Sequence, residues 1–341
     1  MILSYALIAI LSLWGLSIAH DGFHNDYLSK DKTNAIKGIS ILMVFIGHSL
    51  QYITNNGYEF AGVGDTLFLL IKRLSGQLVV VMFLFYSGFG IGESFKKKGK
   101  EYVDHMPTHR ILSTIINFDI AVLFFVLLAP ILDEPLSIKE IMLSLVGWES
   151  IGNSNWYIFC IVACYILSFL VFKFINKNHI TISIIISIVA FSFLLSFLKP
   201  SYWYNTLWAY PLGILFSFHR KELDCFLKKH WLKSSLIISG LFLISFSIRY
   251  GFKGIPYNIL SVCFALLVVI LSMKVSIGNK ALYWIGANLF PFYIYQRLPM
   301  IFISKKYPEL LIHYPLVFMS LCLLISLLIT YAYKYWRVTL R

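Results

Sequence analysis

Residues 37–48 read Lys37-Gly-Ile-Ser-Ile-Leu-Met-Val-Phe-Ile-Gly-His48, apolar except at the two ends. As a helix rising ~1.5 Å per residue, the stretch sets Lys37 and His48 about 16 Å apart along its axis. At ~100° per residue, eleven steps return to within about 20° of the starting direction. Both basic side chains are therefore predicted on one helix face. Lys37 falls near the helix start and His48 deep inside. Whether that depth is lipid or protein interior decides the fold class.

Composition answers it. Of 341 residues, 59% are hydrophobic and only 13% charged, with mean hydropathy +0.77. Soluble domains are nearer half apolar and a quarter charged. Several apolar runs approach or exceed the ~17–25 residues that cross a bilayer as a helix. The fold class is all-α: a polytopic membrane helix bundle of about 10–11 transmembrane helices. A β-barrel would show short alternating segments instead.

Working outward from 37–48, spans are predicted at about 2–19, 37–54, 74–93, 111–132, 155–174, 179–198, 202–218, 233–249, 256–273, 281–303 and 312–334. The connection 55–73 reads as a loop with three glycines and few charges, and 137–147 as an interfacial helix. Placing 20–37 inside also places 94–110, 173–178, 219–233, 274–280 and 334–341 inside. Those segments hold 20 of the 29 Lys and Arg. That bias predicts the N-terminus outside and the C-terminus cytoplasmic. The net charge of +13 thus reports orientation, and nucleic acid is not an expected partner. No positive region precedes residues 2–19, so they read as a retained span and not a secretory signal. Five scattered cysteines show no disulfide, redox or metal spacing. No metal site and no bound cofactor are expected.

In lipid the polar residues need explaining. The deep ones are His48, Asp119, Glu93 and Arg297. Two polar clusters, around Asn155-Trp156-Tyr157 and from Asn288 to Gln296, join them near span ends. His48 suits a general base, because a neutral imidazole can take a proton and return it. A core histidine bonded to a neighbouring helix is the alternative. Lys37 either snorkels to the interface or holds an anion, and its shared face with His48 favours the anion. Coenzyme A fits such a face, with phosphates at one end, a long pantetheine arm and a thioester at the other. The basic loop 96–110, Arg110 included, adds attraction for the phosphates. Ser87 reads as a site-lining donor or as half of a small Ser-Gly packing pair. Asp119 is positioned to orient His48, pair with a lysine or cap a polar pocket. Trp156 and Tyr157 form a substrate platform or part of an interfacial belt. Arg297 holds an anion or snorkels outward.

Five segments resemble the acyltransferase-3 family of integral-membrane O-acyltransferases. The stretch 37–48 resembles the family's basic residue, ten-residue spacer and essential histidine. Met82-Phe83-Leu84-Phe85-Tyr86-Ser87-Gly88-Phe89 resembles its Phe-Phe-x-x-Ser-Gly element. Asn155-Trp156-Tyr157-Ile158 and Tyr210-Pro211-Leu212-Gly213 resemble its Leu-Trp-Phe/Tyr-Leu and Phe-Pro-Leu-Gly elements. Residues 285–296 resemble its late Gly-x-x-Ser-x-x-x-Tyr-x-x-His element. The likeness covers roughly 30–335. It divides the chain into an extra N-terminal helix and loop, 1–29, and an acyltransferase domain, 30–341. Two positions depart from the pattern. Lys37 stands where arginine is usual, and Gln296 stands where many members have histidine.

The resemblance implies transfer of an acyl group, expected to be acetyl, from cytoplasmic acetyl-CoA or another acyl-CoA. The acceptor would be a hydroxyl of a cell-surface or lipid-linked glycan, in the cell inner membrane and among its lipids. His48 would be the base or acyl relay, and Lys37 and Arg110 would hold the donor. Ser87, Asp119, Asn155, Trp156, Tyr157, Asn288, Gln296 and Arg297 would line the site. The alternative from another class is a transporter or flippase for a glycan or lipid precursor.

Overall fold

The computed structural model describes residues 1–250 and 254–340. Arg341, the last residue of the expected acyltransferase domain, lies outside them. In chain order the helices are α1 (Leu3–Leu13), α2 (Lys30–Asn55), α3 (Gly62–Ser75), α4 (Leu78–Lys98), α5 (Lys100–Met106), α6 (Ser113–Leu128), α7 (Ile138–Leu145), α8 (Trp156–Phe174) and α9 (Ile180–Leu198). They continue with α10 (Ala209–Phe218), α11 (Arg220–Lys229), α12 (Trp231–Ser247), α13 (Ile255–Ser272), α14 (Lys280–Ala287), α15 (Leu289–Tyr295), α16 (Arg297–Lys306), α17 (Pro308–His313) and α18 (Pro315–Ala332). Two three-residue strands, β1 (Leu16–Ile18) and β2 (Val275–Ile277), pair antiparallel with Ser17 opposite Ser276.

The fold is an all-α polytopic membrane bundle. Seven helical stretches among the described residues are long and apolar enough to cross a bilayer, and α11 with α12, bent by 98°, adds an eighth. Lipid-facing surfaces are apolar in the pattern that requires. On α9, Ile182, Ile186 and Leu194 are exposed while Ile184, Ile188 and Leu195 are buried.

Three of the eleven expected spans take other forms. The run 2–19 is helical only through Leu13, about 16 Å of rise. The chain then turns at Gly15, whose φ of +83° suits glycine, and continues extended into β1. Hydropathy does not distinguish a short helix followed by a strand from one long helix. The run 202–218 becomes the ten-residue α10, with Pro211 in its first turn. The run 281–303 breaks twice, at Asn288 and Gln296. Pro291 and Pro299 sit in the first turns of the helices after each break, where a missing N–H costs nothing.

Two other expectations shift. The connection 55–73 contains α3, so Lys72 is a helical residue and not a loop residue. Helix α2 begins at Lys30, capped by the Ser29 hydroxyl accepting from the Lys32 N–H. Lys37 is therefore about two turns inside α2 and not at its mouth. The interfacial helix expected at 137–147 is α7, opened by a reciprocal Ser137–Glu140 capping box.

Two close helix crossings set the frame. A Cβ on Gly286 of α14 would lie 1.9 Å from the Asn34 carbonyl oxygen, and one on Gly38 of α2 would lie 2.1 Å from that of Leu282. Likewise a Cβ on Gly88 of α4 would meet the Tyr210 carbonyl at 2.0 Å, and one on Gly213 of α10 would meet that of Phe85 at 2.1 Å. Only hydrogen fits at these four positions, so the backbones touch, as small residues permit in membranes. Helix α2 also packs on α4, α15 and α16, which brings the motif-bearing helices around one interior.

Candidate active site

His48 projects from α2 with its ring centroid 6.3 Å from that of Tyr293. Its Nδ1 is buried without a hydrogen-bond partner. Two cations lie close enough for their charges to act on the imidazole, Arg297 and Lys72. Lys72 reaches there because Gly47 leaves room. A Cβ on Gly47 would stand 3.0 Å from both Cε and Nζ of the lysine. Arg297 opens α16 immediately after the break at Gln296. It donates from Nη2 to the Gln51 side-chain oxygen at 2.5 Å and from Nη1 to the Gly152 carbonyl at 3.4 Å. Its guanidinium lies 5.9 Å from the Tyr52 ring centroid, and its Nε has no partner. A base flanked by two cations can remove a proton from a hydroxyl while the cations stabilise an oxyanion formed beside it.

A row of aromatic and hydroxyl side chains leads away from His48. Tyr293 meets Tyr157 edge to face, centroids 5.4 Å apart. The Ser87 hydroxyl faces the phenols of both Tyr157 and Tyr165. Tyr165 lies 6.4 Å from Tyr210, whose hydroxyl shares a 2.8 Å hydrogen bond with Ser168. Arg110 faces Tyr102, Tyr165 and Tyr210. It is carried on a π-helical segment, Pro107–Leu112, a widened turn often found at functional sites. Arg110 also lines a cavity of about 410 Å³ with Lys97, Lys98, His109, Tyr102 and Ser94. Three cationic side chains and no carboxylate line it, and Lys98 also pairs with Glu101 at 3.4 Å.

The other expected residues divide. Gln296 is fully buried, donating from Nε2 to the Tyr293 carbonyl at 3.2 Å, with Oε1 unpartnered. Asn288 holds the first break by donating to the Trp284 carbonyl at 2.9 Å. Asn155 donates to Gly147 O at 3.0 Å and so braces its own loop. Trp156 packs edge to face on Tyr157 and Tyr202. Asp119 makes no hydrogen bond or ion pair with His48 or any lysine, and its Oδ1 is buried alone. The structure therefore gives Asp119 no hydrogen bond through which to orient His48. Glu93 is not a deep site residue either. It pairs with Lys96 at 2.6 Å and accepts from the Ser217 hydroxyl at 2.9 Å. Lys37 has no hydrogen-bond or ion-pair partner among the described residues.

Sequence reasoning missed Lys72, Gln51 and Tyr165. Lys72 carried one usable signal, an apolar run from Leu67 to Ile71 that is long enough to begin a helix. The other two act through long-range contacts that periodicity does not report.

The loop 147–155 is fixed from outside the site. Lys199 donates to the Trp148 carbonyl at 2.7 Å and sits 3.7 Å and 4.5 Å from the Trp148 and Trp203 ring centroids. Burial lowers the Lys199 ammonium from the usual lysine range, against an opposing pull from Glu149. At the other end, Tyr27 donates to Asp224, and burial together with that carboxylate holds the phenol far above its ordinary range. Among the described residues no group of three or more His, Cys, Asp or Glu is placed to hold a metal ion.

The bundle and its interior locus define a multi-pass membrane protein with one basic, histidine-centred site. A family model described as an acyltransferase domain, acyltransferase-3, matches residues 31–334. The chain belongs to that family and is a membrane acyltransferase. No curated protein and no solved structure matches it.

Proposed function

We propose that the protein moves an acyl group, acetyl above all, from cytoplasmic acyl-CoA to a hydroxyl of a cell-surface or lipid-linked glycan. The membrane is the cell inner membrane, with the N-terminus outside and the C-terminus cytoplasmic, and residues 1–29 are an addition to the acyltransferase domain. The observation that carries this reading is the row from the basic cavity at Arg110 through Tyr165, Ser87, Tyr157 and Tyr293 to His48. Coenzyme A has two separate anionic groups, a diphosphate and a ribose 3′-phosphate. Arg110 with Lys97 and Lys98, and Lys37 on the His48 face, are two basic loci for them. The polar row is the bed for the pantetheine arm.

In the reaction, His48 takes the proton of the acceptor hydroxyl as its oxygen bonds to the thioester carbonyl carbon. Lys72 and Arg297 stabilise the oxyanion of the tetrahedral adduct. The carbon–sulfur bond then breaks, and the departing thiolate receives the proton from His48. The products are an ester and free coenzyme A. Where an acyl-histidine forms first, the same two cations serve both steps.

The deciding experiment incubates purified protein in nanodiscs with acetyl-labelled acetyl-CoA and follows release of the free thiol. Thiol release above a protein-free control is expected, and its absence across acyl-CoA chain lengths would overturn the donor assignment. Arg110→Ala and Lys37→Ala should each raise the donor KM about tenfold, as loss of a charge-assisted contact does, while kcat stays within about twofold. An unchanged KM in either variant removes that residue from the donor site. Lys72→Met should instead lower kcat about 100-fold with little effect on KM, in line with loss of an oxyanion donor. Lys72→Arg should recover part of the rate. An unchanged kcat in Lys72→Met would exclude Lys72 from the chemistry.

A further inference from the structure

A second cavity system lies on the far side of α2. Ile36, Ile39 and Met43 line an apolar groove of about 460 Å³ with residues of α4 and α13, among them Leu78, Val79 and Val268. Ile39 and His48 are nine residues apart, a half-turn of helix at ~100° per residue, so the groove and the acyl-transfer site face opposite ways. The α13 wall runs from Phe264 to Leu271 and Ser272, about 12 Å of helix. One leaflet contributes about 15 Å of hydrocarbon. The groove therefore matches one leaflet's depth.

At its end the groove meets a polar cavity of about 450 Å³ lined by Asp31, Lys32, Ile277, Asn279, Lys280 and Tyr283. Lys32 and Ile277 belong to both walls. Neither Lys32 nor Lys280 forms an ion pair among the described residues, and Asp31 leaves the cavity one positive charge in excess. Inside the groove, Ser276 is only 4% exposed, and its hydroxyl is buried without a hydrogen-bond partner. A buried orphan hydroxyl marks a missing polar partner.

We infer that this paired cavity is a binding site for an anionic glycerophospholipid of the leaflet at the Lys32–Lys280 end. The phosphate-bearing headgroup sits between Lys32 and Lys280, Ser276 donates to an ester carbonyl, and an acyl chain fills the groove along α13. Charge selects the headgroup, because a zwitterionic lipid brings a second cation into a cavity already positive. The site is separate from acyl transfer and holds whether or not the donor assignment does.

The test is lipid retention by the full-length protein, purified in detergent containing equimolar phosphatidylglycerol and phosphatidylcholine and read by native mass spectrometry. Wild type should retain phosphatidylglycerol at least fivefold over phosphatidylcholine. Lys32→Gln with Lys280→Gln should bring that ratio to parity. Val268→Trp, which fills the partly open groove and leaves both lysines, should cut total lipid retention at least fivefold. Thermal unfolding of each variant reports its integrity, and if one fails to fold the other still decides. Equal retention of the two lipids by wild type would overturn the inference, as would unchanged selectivity in the double variant. Full retention in Val268→Trp would reduce the site to a headgroup contact and overturn it too. So would displacement of the lipid by inorganic phosphate alone, the mark of a free-anion site.

Discussion

His48→Ala is expected to lower acyl transfer between 100- and 10,000-fold while leaving donor KM nearly unchanged. That range is what a positioned general base contributes, roughly 3–5 kcal/mol of transition-state stabilisation. The argument rests on geometry. His48 is the one imidazole beside Tyr293, Arg297 and Lys72 among the described residues, and its Nδ1 is held by no other group. The charged side chains acting on it are both cations, which leaves the imidazole as the base of this locus. Removing the ring also removes an unsatisfied buried nitrogen, so folding should suffer little. Thiol release and product formation measured side by side, with thermal unfolding as a control, check the prediction. A variant that turns over at the wild-type rate would leave the site without its base.

Gly286→Ala is the largest expected effect on stability. The added methyl would lie 1.9 Å from the Asn34 oxygen and 2.6 Å from the Gly38 nitrogen, both backbone atoms of a long helix. No side-chain rotation relieves that overlap, so α14 must move off α2. Overpacking costs about 1–3 kcal/mol where side chains can adjust, and more where they cannot. We expect a loss above ~3 kcal/mol, seen as a markedly lower unfolding temperature and poor recovery of monodisperse protein. Gly90→Ala is the matched control. Its Cβ would meet nothing within 4 Å, and alanine is the better helix former by up to ~1 kcal/mol. Equal unfolding temperatures for the two variants would mean that the α2–α14 contact is not tight.

These two sites show what the sequence makes legible. His48 and Lys37 fall on one continuous helix face, as an eleven-residue spacing at helical period requires, because spacing within one element is local information. The glycines were visible within recognisable motifs, but not as partners across a crossing. Lys72 was lost because Asn55, Asn56, three glycines and few charges made 55–73 look like a loop, although the apolar run before it is helical. Pro291 and Pro299 announced breaks in 281–303 that hydropathy smoothed over. Asp119 shows a different limit. Depth in a span signals cost, but it does not name the partner, and Asp119 makes no hydrogen bond to the base it was expected to orient.

The polar atoms left unpartnered around His48 have one more consequence. His48 Nδ1, Gln296 Oε1 and Arg297 Nε are buried without a hydrogen-bond partner, and the buried Ser154 and Tyr293 hydroxyls face each other. Orphans gathered at one locus are satisfied by ordered water, and irregular backbone at membrane depth is tolerated where it lines a wet space. The interior between the breaks is thus lined by polar atoms that water can satisfy. On the proposed function, donor and acceptor would meet in this polar interior and not in lipid. In the proposed reaction, water admitted there would compete with the acceptor hydroxyl for the thioester. The acyl donor would then be kept intact by positioning the acceptor hydroxyl ahead of water, and not by keeping the site dry.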